Sequence, residues 1–200
     1  MQSWIVTGGV GCGKSHVMKT LGALTARFSA CFSADAAVRE IIEKPAVAAQ
    51  IQAEFGVPLT GKEPAAVRDW LRENVLPVPA KRTRLESILH PPVLAALEEA
   101  RRAARKGGVN LFLAEVPLHY EIGGTVSADF VIVVASSRSV QVRRMMENRG
   151  LDEPTVQKFL DAQWPIEAKV ERADSVIWND GSLASLEAQV LTLASPLLQA

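Results

Sequence analysis

The chain has 200 residues, 48% hydrophobic and 22% charged, and its 22 basic residues balance 22 acidic ones to a formal net charge of zero. Such a composition suits one globular unit, or a core with a small helical insert, and offers no bulk electrostatic attraction for nucleic acid or an anionic membrane. Two cysteines, Cys12 and Cys31, without CxxC or His-rich spacing argue against a disulfide framework or a structural zinc site, and for a reducing cytoplasm.

In chain order, the opening "MQSWIVTGG" has no basic n-region and no long apolar stretch, so no signal peptide is expected. No later apolar run approaches the roughly 20 residues that span a bilayer. "SWIVT" (3–7) reads as a buried strand, followed by a glycine loop and a helix from about Lys14 to Ala26. "SACFS" (29–33) is a second, weaker strand; "VNLFLAEV" (109–116), "DFVIVVAS" (129–136) and "DSVIWN" (174–179) are three more. Their hydrophobicity is continuous, not alternating, which predicts an α/β fold with a five-stranded parallel sheet covered by helices on both faces. Residues 36–106 read as several helices interrupted at 55–64, at Pro77 and Pro79, and at Pro91 and Pro92. A second helical excursion, about Arg138 to Arg172, separates the fourth and fifth strands.

The loop "TGGVGCGKS" satisfies G-x-x-x-x-G-K-[ST] with Gly8, Gly13, Lys14 and Ser15. A random match in such a chain is on the order of a 1% event, and here it follows an apolar strand and opens a helix. Glycines let backbone N–H groups approach phosphate oxygens, and the helix N-terminus favours the anion. Lys14 reaches the outer phosphates, and the Ser15 hydroxyl ligates Mg²⁺. Gly9, Val10, Gly11, Cys12, Gly13, Lys14, Ser15 and His16 are the expected positions for binding a nucleoside triphosphate, which the resemblance below narrows to ATP.

A phosphate loop alone does not choose between a kinase, an ATPase, a GTPase and a motor. Asn-Lys-x-Asp and Leu-Ser-Gly-Gly-Gln are both absent. Asp35 after the second strand and Glu115 closing the third lie where ligands bind in a doubly wound sheet. A carboxylate there accepts a hydroxyl proton or holds a metal's water shell. Asp35 also suits an N-cap for "AAVREII".

Six pieces together resemble the dephospho-coenzyme A kinase family. They are "TGGVGCGKS", "SADAAVREI", "FGVP", "LESILHPPV" (85–93), "LAEVPLHYE" (113–121) and "LDAQWPIEAKVERADSVIWNDGS" (160–182). The resemblance implies a P-loop kinase fold with a helical substrate region and a helical lid. It assigns 1–35, 107–137 and 173–200 to the nucleotide core, 36–106 to CoA binding and 138–172 to the lid. It implies transfer from ATP to the ribose 3′-hydroxyl of dephospho-CoA. Asp35 would be the base, with Lys14 and Arg144 catalytic. Ser15 and Glu115 would organise Mg²⁺, and Asn179 and Gly181 would lie near adenine. Asp35, His90, Glu115 and Leu118 would contact the substrate. The implied partners are ATP and dephospho-CoA, with the protein a monomer or small homo-oligomer.

The chain departs from the family pattern in places. Ser33 replaces the first aspartate of D-A-D, and Pro64 stands where an arginine is usual. Asn148 takes the second lid-arginine position, with Arg149 one residue late. Cys12 and His16 replace more usual Ser and Thr; the His16 side chain and His119 are given no role, and Trp70, Trp164 and Trp178 are assigned to packing, with a place near a lid hinge as the alternative for Trp164. Two other readings share the loop: a kinase for a nucleoside monophosphate or other small metabolite, and a nucleotide-binding module without catalysis.

Overall fold

The computed structural model describes residues 1–56, 64–124 and 126–199. Its strands are β1 (Gln2–Gly8), β2 (Ser29–Ser33), β3 (Leu111–Glu115), β4 (Phe130–Ala135) and β5 (Ser175–Trp178). They pair in parallel throughout, in the order β2-β3-β1-β4-β5. Each expected strand is present, with its ends shifted by at most two residues. The three inner strands are the most apolar: β3 is buried along its whole length and β1 is buried after Gln2, whereas edge strand β5 exposes Val176 and Trp178. Burial on both faces accounts for the unbroken hydrophobicity of the central runs.

The helices are α1 (Lys14–Leu24), α2 (Ala34–Ile42), α3 (Pro45–Phe55), α4 (Pro64–Asn74), α5 (Pro79–Lys106), α6 (Arg138–Arg149), α7 (Glu153–Asp161), α8 (Ile166–Val170) and α9 (Leu183–Leu198). The chain divides into two compact units: residues 1–33 with 100–200, which hold the sheet, and residues 34–99, which are helical.

In the first unit, α1 packs on β1, β3 and α9. Val17, Met18 and Leu21 of α1 join Leu186, Val190 and Ala194 of α9 in a core with Val6, Leu113, Val134 and Ile177. From central β1 the chain first builds outward to one side, with β2 and β3. It then builds to the other, with β4 and β5. The carboxyl end of β1 is therefore the topological switch point, where an open α/β sheet leaves a crevice for a ligand. The glycine loop starts there.

In the second unit, α5 runs through Pro91 and Pro92 without a break, contrary to the expected interruption. An interior proline removes an i→i−4 hydrogen bond and crowds the preceding turn, at a cost of about 3 kcal/mol. Leu85, Leu89 and Leu97, spaced by four and eight residues, are buried on both sides of the prolines. Their common face holds the two halves in one helix. His90 consequently sits inside a helix, not at a helix end. The α3–α4 connection falls at 57–63, outside the described residues, so of "FGVP" only Phe55 and Gly56 are described.

Leu113 lies in a strand paired on both edges and has no solvent exposure. Leu113→Ala is expected to lower unfolding stability by about 2–5 kcal/mol, read as a drop in the urea midpoint at unchanged slope.

Candidate active site

The last residue of β1 turns the chain into the loop. Gly8 has φ 139°, and a Cβ there would lie 2.0 Å from the Val134 carbonyl oxygen, its register partner's, on β4. Position 8 therefore admits only glycine. Gly13 closes the loop in the left-handed region at φ 92°, with Asn179 Nδ2 packed 2.6 Å from where a Cβ would stand. Helix α1 then starts with no side-chain cap and no acid in its first turn. An uncapped helix start of this kind presents its backbone donors and positive dipole end to an anion. Lys14 folds back over the loop, donating to the Gly9 carbonyl at 2.8 Å and the Gly8 carbonyl at 3.4 Å.

Glu115 ends β3, one strand from the loop, and is only 5% exposed. Its Oε1 accepts from the Ser15 hydroxyl at 3.0 Å. Among the described residues no group of three or more His, Cys, Asp and Glu side chains converges. A hydroxyl and one carboxylate beside a phosphate loop instead fit an ion such as Mg²⁺, which keeps waters and takes its other oxygens from phosphates.

On the far side of the loop, a side chain from just after β5 and one from α6 bond its carbonyls. Asn179, immediately after β5, donates Nδ2 to the Cys12 carbonyl at 2.9 Å. Arg144 of α6 donates to the Gly11 carbonyl (3.4 Å), the Ser136 hydroxyl (3.2 Å) and Asn179 Oδ1 (3.4 Å). Ser136 in turn donates to the Asn179 carbonyl at 2.8 Å. Asp180 accepts from the Ser137 backbone N–H at 2.8 Å. Burial works to raise its pKa; the Ser137 hydrogen bonds and the Arg144 charge outweigh this and hold the carboxyl below its ordinary value. Val10 packs with Met145 and Val156, so the loop tip belongs to the small core of α6 and α7. The Val10 N–H donates to Gln163 Oε1 at 3.0 Å. Between these elements a cleft of about 340 Å³ opens beside Gly9, lined by Arg138, Gln141, Gln163 and Trp164 among others.

With this geometry in view, the family model described as "Dephospho-CoA kinase" matches residues 4–185. The chain belongs to the dephospho-CoA kinase family. A dephospho-CoA kinase of Syntrophotalea carbinolica is 33% identical over 194 residues, covering 96% of this chain and 90% of that protein. A crystal structure from Thermus thermophilus superimposes with a TM-score of 0.76 at 28% identity, covering 98% and 97% of the two chains. The dephospho-CoA kinase from Campylobacter jejuni gives 0.63 at 25% identity, covering 100% and 98%. Family membership makes the chain a kinase, an enzyme of phosphoryl transfer, with the P-loop kinase architecture.

The family pieces do not all meet in the described contacts. Gly9 to His16, Glu115, Arg144 and Asn179 form one connected group in the first unit. His16 turns its ring to Glu187 of α9 at 3.4 Å. Gly181 is exposed in the turn before α9, and Leu118 is half-buried in the segment after β3. Asp35 is exposed in the first turn of α2, two residues beyond Ser33, the register partner of Glu115. Asp35 and His90 belong to the second unit.

Of the four arginines in "RSVQVRRMMENR", Arg144 is the one with a described hydrogen bond to the loop. Arg138 instead pairs with Asp161 at 3.0 Å. Helix α6 extends through Arg149 to a left-handed Gly150, so Arg149 is exposed in the last turn. One residue of helix is about 100° of rotation, which accounts for the different faces of Arg144 and Arg149.

The sequence assigns no role to Gln163, Glu121 or Lys169, although Glu121 ends "LAEVPLHYE" and the other two stand in "LDAQWPIEAKVERADSVIWNDGS". Lys169 is 0% exposed; its ammonium lies 2.6 Å from Glu121 Oε1 and 3.5 Å from the Gly8 carbonyl oxygen. Glu121 Oε1 also accepts the Trp164 N–H at 3.0 Å, and the Trp164 ring stacks on Tyr120 at 6.0 Å with Arg172 above it. The signal available in the sequence was a lysine in an amphipathic segment of the family pattern. Its burial was not.

Cys12 has no exposure, and burial pushes its thiol pKa up, with Lys14 offsetting only part of the shift. The thiol is therefore protonated at neutral pH. A thiol-disulfide reagent at pH 7 is expected to titrate exposed Cys31 alone in the folded protein and two thiols after denaturation. Prompt reaction of two in the folded state would contradict the packing around Cys12.

Proposed function

We propose that the chain transfers the γ-phosphoryl group of ATP to the ribose 3′-hydroxyl of dephospho-CoA, giving CoA and ADP in the last step of CoA biosynthesis. The observation that carries this reading is the connected group of Lys14, Ser15 with Glu115, Arg144 and Asn179 around a single loop, in a chain of this family.

Lys14 and the loop amides from Gly9 to His16 hold the phosphates, and Asn179 and Gly181 flank the adenine. Ser15 and Glu115 hold Mg²⁺, which when bound neutralises phosphate charge. Arg144 turns from the loop carbonyl towards the transferring group, where a guanidinium stabilises charge on the equatorial oxygens. Asp35 takes the proton of the attacking hydroxyl, and His90, Glu115 and Leu118 contact the acceptor. Catalysis of this kind is mostly positioning and electrostatic stabilisation. Neither nucleic acid nor membrane takes part. No helix among the described residues is long and apolar enough to cross a bilayer. We place the enzyme in the cytoplasm, as a monomer or small homo-oligomer.

ADP release from ATP and Mg²⁺ is expected to depend on dephospho-CoA, with CoA appearing in equal amount by mass spectrometry. ATP binding without acceptor-dependent release would reject the assignment. Asp35→Asn is expected to lower turnover by about 10²–10⁴-fold while the Kd for ATP stays within about twofold. Unchanged turnover would remove Asp35 from the role of base.

A further inference from the structure

Two ammonium groups converge on one backbone oxygen. Lys14 reaches the Gly8 carbonyl at 3.4 Å from the loop side, and Lys169 reaches it at 3.5 Å from α8. Gly8 is buried, and each contact is at the outer limit of hydrogen-bond length. The two lysines differ in burial and in their place in the fold. Lys14 begins a helix at the loop and is half-buried. Lys169 has no solvent exposure and is anchored at 2.6 Å to Glu121, a carboxylate that is itself fixed by the Trp164 N–H.

We propose that Lys169 is a positioning residue that takes over the Gly8 carbonyl when Lys14 leaves it for the phosphates of bound nucleotide. The inference rests on the reading of the glycine loop as a triphosphate site; it needs nothing about the acceptor. The physical reason is the asymmetry of buried hydrogen bonds. Making one adds little net free energy, but leaving a buried carbonyl without a donor costs its desolvation. Without a replacement, that cost would be charged against nucleotide binding. With Lys169 already at 3.5 Å, a movement of a few tenths of an ångström completes a charge-assisted bond as Lys14 departs. Glu121 makes the arrangement tenable, since a lysine buried without a counter-charge would be strongly disfavoured. Gln163 acts in parallel at the loop tip: its bond to Val10 N–H and the Trp164–Glu121 bond hold the α7–α8 connection on the loop.

A double-mutant cycle on ATP affinity tests the handover and separates it from general packing. Lys169→Met is made together with Glu121→Gln, so that no carboxylate is left buried without its cation. The pair is introduced into the unaltered chain and into Lys14→Ala. In the unaltered background the Kd for ATP is expected to rise about 5–100-fold. In the Lys14→Ala background the same pair is expected to change it by less than about twofold, because no lysine leaves the carbonyl on binding. Equal effects in the two backgrounds, or no effect in either, would overturn the proposal. If the paired variant does not fold, the structure of the unaltered chain with ATP decides. Lys169 Nζ within about 3.2 Å of the Gly8 oxygen, with Lys14 on phosphate, supports it; separation beyond about 4 Å overturns it. An unaltered chain that binds no ATP at all fails the loop reading itself, an outcome distinct from additive effects in a chain that does bind.

Discussion

A buried backbone position that tolerates no side chain governs this molecule. At Gly8 the central strand must pass so close to the Val134 carbonyl that a Cβ would stand 2.0 Å from it. The same residue must adopt a φ of 139° to turn the chain into the loop. Both demands meet at the residue where β1, lying between β3 and β4, turns into the loop at the point where the sheet changes its direction of growth. A crevice forms there because neighbouring connections diverge, and the loop fills its floor.

The loop is short of side chains of its own, so its shape is held by side chains from elsewhere. Asn179 after β5, Arg144 on α6, Gln163 before α8 and Lys169 within α8 each bond a loop backbone atom. Three of the four lie in or beside the helical segment between β4 and β5. Loop conformation and the placement of that segment are thus mechanically one problem: moving α6 or α8 alters which loop carbonyls are satisfied.

The departures from the family pattern acquire a physical sense in this setting. Cys12 fills a sealed site between the loop and β4, where an uncharged thiol packs as a small apolar group. Ser33 ends β2 beside Glu115 in register, two residues ahead of Asp35; nothing in the structure explains a serine there. Arg149 lies on another face from Arg144 because α6 does not end before it.

Much of this was legible in the linear order of residues. Strands buried on both faces announce themselves as unbroken apolar runs, and a glycine loop between strand and helix needs local backbone freedom that few other residues supply. Lys14 and Ser15 follow from the loop pattern, whereas Arg144 and Asn179 are singled out only by the resemblance, as a lid arginine and a residue near adenine. The passage of α5 through Pro91 and Pro92 was not legible, because the penalty is local whereas the compensating burial of Leu85, Leu89 and Leu97 is tertiary. Nor were the burial of Lys169 and its approach to Gly8. The separation of 161 positions makes the pairing a matter of packing: a lysine's charge is written in the sequence, but whether water or a carboxylate and a carbonyl surround it depends on what folds against it. Local chemistry decided what the loop is, and three-dimensional packing decided which distant side chains hold it.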